Sequence, residues 1–132
     1  MKQRLKKIDR IIKVQQHLHK NAELHLANLQ RKESELKVAQ EEILETMGDA
    51  DVLHGLFVDV IANRLKRLAL EEDRVHASIV TQKIVTTENA LKVKRSEKLL
   101  SRLKEEARQG QEKKDLIAIL EAVVQKDRTS LP

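Results

Sequence analysis

The chain has 132 residues, one domain's worth of sequence, and 36% of them are charged while 1% are aromatic, Phe57 being the only aromatic. That excludes a compact core anchored on aromatic rings, each of which buries on the order of 150–250 Å². With no cysteine there are no disulfides, no thiol catalysis and no cysteine-held zinc or iron–sulfur centre, and the net charge of +5 is interleaved with 21 acidic residues.

Three glycines (Gly48, Gly55, Gly110) and one proline (Pro132) supply little turn chemistry. A multi-stranded sheet needs far more, and the Ala, Glu, Lys, Leu and Arg content suits long helices. The expected fold class is therefore all-α: a long antiparallel two-helix coiled-coil hairpin with unequal helices. No apolar run approaches the roughly 18–20 residues that span a bilayer, and no secretory h-region follows Met1. A cytoplasmic location is expected, with at most a peripheral association with a membrane.

Patterning predicts the first helix over about 3–47. Its start is basic, with Lys2, Arg4, Lys6, Lys7, Arg10 and Lys13 against the single acid Asp9. A basic amphipathic start raises a presequence or a membrane-surface helix. The continuation through Glu23, Glu33 and Glu35 favours the first turns of a longer helix instead. Steps of three and four put Ile8, Ile11, Gln15, Leu18, Ala22, His25, Leu29, Lys32, Leu36, Ala39, Ile43 and Thr46 on one seam, widened by Ile12, Leu26 and Leu44. A repeat held over this many heptads predicts a coiled coil, because only a 3.5-residue period keeps a seam facing its partner.

A turn is expected over about 48–52, with Gly48 in the left-handed position that ends a helix and Asp49 or Asp51 capping the next. The second helix is expected over about 53–109. Its seam reads Ile61, Leu65, Leu68, Glu72, Val75, Ile79, Gln82, Thr86, Asn89, Val93, Ser96, Leu100, Leu103 and Ala107. The polar stretch from Gln82 to Asn89 should lie beside Leu5–Gln15. The second helix outlasts the first, so Leu99, Leu100 and Leu103 are expected to lack an intramolecular partner. Gly110 should interrupt it. A C-terminal helical segment over about 111–126, carrying the apolar patch Leu116–Leu120 with Val123 and Val124, either continues the helix or folds back as a short third one.

Chemistry is sparse. Metal ligands on one helical face need spacings of three or four, and His17, His19 and His25 do not meet that. Glu41–Glu42 and Glu71–Glu72 are sequence neighbours whose side chains diverge on a helix. No phosphate-cradling loop or nucleophile elbow is present. No catalytic, metal-binding or cofactor-binding residue is assigned, and the chain is expected not to be an enzyme. Specific nucleic-acid binding is not expected either, since no aromatics interleave the cations.

A basic helix with His and Leu at heptad spacing, a short turn, the helix start Leu53-His54-Gly55-Leu56-Phe57-Val58-Asp59-Val60-Ile61 and the charged-to-apolar stretch Gln111–Ile117 follow one another. This organisation resembles the FliJ family of flagellar export proteins and its type III secretion counterparts. The resemblance implies an antiparallel coiled coil similar to the stalk subunit of rotary ATPases. Its paired helix ends would enter the hexameric ring of an export ATPase, a patch at the start of the second helix would engage the membrane export gate, and chaperones are further partners. By position the gate patch falls on Phe57, Ile61, Arg64 and Leu68, with Arg64 departing from the small residue the family has there. The ring-entering end falls on the basic start, Lys2, Arg4, Lys6, Lys7 and Arg10, and on the second helix around Leu99–Arg108, Leu100 and Leu103 among it. From its own chemistry Phe57 is a partner contact or the cap of the coil, and both readings stay open. The alternative to an export component is a helical scaffold or adaptor that forms a homo-oligomer through the unpaired part of the second helix.

Overall fold

The computed structural model describes the backbone of residues 2–48 and 55–130, and the side chains of 2–48 and 57–128. Two helices account for them, α1 (Lys2–Gly48) and α2 (Gly55–Ser130), and no strand occurs among the described residues. Both helices are free of proline, which would remove a backbone donor and clash with the preceding turn. The Ser and Thr residues inside them are accommodated by donating to the carbonyl four residues back, as Ser34 does to Gln30, Thr46 to Glu42, Ser78 to Arg74 and Thr86 to Gln82. Gly48 differs from expectation. It is the last residue of α1, and no described glycine has a positive φ, so it is not a left-handed cap. The rest of the expected turn, the caps Asp49 and Asp51, and the helix start at Leu53 and His54 lie outside the described residues.

The chain packs as two units, Gln16–Leu91 in one and the residues up to Gln15 with those from Lys92 onward in the other. In the first, α1 and α2 pair antiparallel, because descending positions on α1 meet ascending ones on α2. Gln40 meets Glu72, Glu33 meets His76 and Ala22 meets Gln82. Leu36, Val75 and Ile79 form its buried core, with Leu26, Leu29 and Leu68 packed around them. Ala22 is also buried. This register corrects one expectation: Gln82 lies beside Ala22 and not beside Leu5–Gln15. Each α2 residue thus meets a later α1 residue than the expected turn over 48–52 gives.

The α2 seam matches its expected residues, each of them buried or half-buried from Ile61 to Ala107. The α1 seam matches at Ile8, Gln15, Ala22, Leu29, Leu36, Ala39 and Ile43 but otherwise takes the other alternation between them. Ile12, His19, Leu26, Glu33, Gln40 and Met47 turn inward, while Ile11, Leu18, His25, Lys32 and Thr46 are exposed. A three–four repeat can be stepped in either order from shared positions, and packing decides between them. The observed order exchanges His25 for Leu26 and Thr46 for Met47. The polar residues it admits find partners: Glu33 bonds His76 (3.0 Å), Gln40 donates to Glu72 (2.6 Å) and His19 pairs with Glu23 (2.6 Å).

In the other unit, Ile12 of α1 and Leu103 of α2 are the buried residues, each 5% exposed. Leu5, Ile8, Val93, Ser96, Leu99, Leu100 and Ala107 are half-buried around them. The expectation that Leu99, Leu100 and Leu103 lack intramolecular cover is thereby corrected. From Arg108 to Arg128 every side chain is exposed, so cover by α1 ends at Ala107. The helix does not stop or fold back at Gly110. An interior glycine costs about 1 kcal/mol relative to alanine, which is offset locally by the Arg108–Glu112 pair that straddles it and by pairs on either side. The Arg108 guanidinium donates to both Glu105 and Glu112, and Gln111 donates to Asp115.

Candidate partner-binding surfaces

At the start of α2, positions 57, 61, 64 and 68 share one face by their spacing of four, three and four. The seam divides them. Ile61 and Leu68 are half-buried, and Leu68 packs on the Leu36–Val75–Ile79 core, whereas Phe57 (58% exposed) and Arg64 are open. Val58 and Val60 are exposed as well, Val60 more than Phe57. The open apolar surface here is therefore Phe57, Val58 and Val60, with Arg64 one turn on. The expected patch omitted Val60, although its place off the α2 seam was a usable signal, since an apolar residue off the seam has nothing to bury it.

The basic start of α1 is open. Arg4, Lys6, Lys7 and Arg10 line a shallow groove with Gln3. The one acid nearby, Asp9, pairs with Lys13 at 3.3 Å, so it does not neutralise them. Among the described residues no ion pair engages Lys6, Lys7 or Arg10, and the three present their charge to solvent. Leu100 and Leu103, expected at the same contact, face inward instead: Leu103 is buried and Leu100 half-buried.

Two polar features mark the first unit. The Glu33 carboxylate accepts from His76 across the helix pair and from Lys37 on its own helix (3.5 Å). The bond with His76, more than the charge of Lys37, holds this carboxyl below the usual range. Further along, the Gln82 side-chain amide donates to the Ala22 backbone carbonyl at 3.1 Å, a side-chain bond from one helix to the main chain of the other. The small Ala22 is what permits so close an approach. His19 sits in the same seam, its side chain 23% exposed, with the buried Nδ1 lacking a protein partner.

No family model, curated protein or solved structure matches the chain. Its surfaces are therefore read on their own chemistry. No group of three or more His, Asp or Glu side chains that could hold a metal ion occurs among the described residues. The groove along Leu29, Lys32, Arg67 and Glu71 is an open trough crossed by the Lys32–Glu71 ion pair (3.3 Å). Open troughs do not exclude water as substrate pockets do, and they suit extended protein contacts. No described helix is long and apolar enough to cross a membrane.

Proposed function

We propose that the chain is a non-catalytic coiled-coil component of a flagellar or type III export apparatus, binding an export ATPase ring, with the export gate and chaperones as further partners. The observation that carries the reading is the exposed pair of contact chemistries on an all-helical, seam-packed chain: a phenylalanine with two valines at the start of α2, and unneutralised cations at the start of α1. Aromatic side chains are over-represented among binding hot spots, and Phe57 is the only aromatic the chain has. The cations Lys6, Lys7 and Arg10 favour an acidic partner surface, where complementary charge speeds association and salt weakens it.

The test uses the full-length chain and the export ATPase of the same organism, with binding measured at low and at physiological salt. Charge reversal of Lys6 and Lys7 to Glu is expected to weaken the complex by about tenfold at low salt, and less at high salt. Phe57→Ala is expected to leave ATPase binding intact while reducing capture of the gate protein. ATPase binding that is indifferent to Lys6→Glu and Lys7→Glu removes the ring contact. Failure of the wild-type chain to bind either the ATPase or the gate removes the export reading altogether.

A further inference from the structure

The tail of α2 carries an apolar surface that belongs to neither the core nor the contacts above. Leu116, Ile117, Ile119, Leu120, Val123 and Val124 are each between 52% and 60% exposed. At about 100° per residue, Leu116, Leu120 and Val123 form the centre of one stripe, flanked by Ile117 and Val124 on one side and Ile119 on the other. This stripe is not the α2 seam prolonged. Stepped past Ala107, the seam falls on Gly110, Lys114, Ile117, Glu121, Val124 and Arg128, half of them charged. The centre of the stripe lies roughly a quarter to a third of a turn round the helix from it, and only the flank of Ile117 and Val124 coincides with the seam. Its geometry thus calls for a partner other than α1.

We propose that this partner is a second copy of the same tail, lying antiparallel and centred near Leu120. The sequence of the tail is self-complementary under reversal about that residue. Leu116 comes level with Val124 of the copy, Ile117 with its Val123 and Leu120 with itself, while Ile119, on the flank, comes level with Glu121. At the ends of the stripe, Lys113 comes level with Asp127 of the copy, once at each end by symmetry. Glu112, on the flank, comes level with Arg128 of the copy. Lys114 and Lys126 are also level, Lys114 on the side of the helix away from the stripe and Lys126 beside its Ile119 edge. A parallel pairing keeps the apolar match but loses the charge match, since it sets Lys113 beside Lys113 and Asp127 beside Asp127. A two-fold dimer needs one patch complementary to itself, and this tail supplies it. Six half-exposed side chains from each copy bury on the order of 1,000 Å² in all, at the low end for a specific interface, so association falls in the micromolar range or weaker.

Sedimentation velocity on the full-length chain, from low micromolar to near-millimolar concentration, is the test. A monomer–dimer equilibrium is expected, abolished by Leu120→Lys. Lys113→Asp and Asp127→Lys are each expected to weaken the dimer by about tenfold, since each turns two attractive pairs repulsive. The double exchange Lys113→Asp with Asp127→Lys is expected to restore affinity to within about threefold of wild type. All three positions are exposed, and unchanged far-ultraviolet circular dichroism checks that each variant remains helical. A chain that stays monomeric throughout overturns the proposal, as does a stripe covered instead by a different protein. So does a dimer that survives Leu120→Lys, or a double exchange no better than the single ones, which points to a parallel or unregistered pair. None of these outcomes depends on whether the export ATPase binds.

Discussion

The polar side chains of the first unit act singly, and each has a measurable signature. Glu33 has a carboxyl whose proton affinity is lowered in the folded state by its bond to His76. A carboxyl depressed on folding adds stability above its unfolded value, near the usual 4.5, and loses that addition as pH falls through the folded value. The melting midpoint is therefore expected to fall on acidification below about pH 5, with Glu33→Gln flattening part of that slope. Because the site is close to solvent, the contribution is a few degrees at most, on the order of other exposed pairs. Thermal melts at pH 6 and pH 3.5 on both proteins measure it. His19 works the other way. Its buried Nδ1 has no protein partner, and a polar residue in a coiled-coil seam lowers stability while restricting register. His19→Leu is expected to raise stability by about 1–2 kcal/mol in chemical denaturation.

At the scale of the elements, α2 was legible residue by residue because its seam contains enough large apolar side chains to admit one phase only. Val75, Ile79, Leu100 and Leu103 leave no second reading. The α1 seam was half legible. Ile11 and Ile12 are chemically equivalent, and nothing local ranks Leu18 below His19 as a seam residue. Only the partner helix resolves the choice, through groups such as Glu72 and His76 that lie far away in sequence. The Phe57 patch was legible on the same terms as the α2 seam, since Leu68 lies on that seam and Val60 off it. Gly110 was misjudged for a different reason: glycine is a weak breaker when flanking side chains bridge it, as Arg108 does between Glu105 and Glu112. A Cβ at Gly110 meets nothing within 4 Å. Gly110→Ala is therefore expected to stabilise the local helix by about 1 kcal/mol, read as roughly fivefold slower amide exchange around residues 108–114.

For the whole molecule, the decisive contrast is between helix held by tertiary contacts and helix held by its own hydrogen bonds alone. All the burial lies at or before Ala107, and the tail after it buries nothing. At protein concentrations too low for self-association, removing residues 110–132 is expected to leave the melting midpoint within about 2 °C of wild type. The same removal should abolish any concentration dependence of the midpoint, which a titration of protein concentration in calorimetry checks.

Chain separation along the first unit also carries a history of assembly. The Gln40–Glu72 contact closes a span of 32 residues, Glu33–His76 one of 43 and Gln82–Ala22 one of 60. Closure entropy rises only logarithmically, by about 0.6 kcal/mol per doubling, so the shortest span is favoured first and each later one is made cheaper by the contacts already formed. Pairing therefore proceeds as a zipper outward from the Gln40–Glu72 end, and His19 and Gln82 are reached late. Substitutions at Gln82 are then expected to accelerate unfolding and barely alter the folding rate, while those at Leu36 or Val75 slow folding itself.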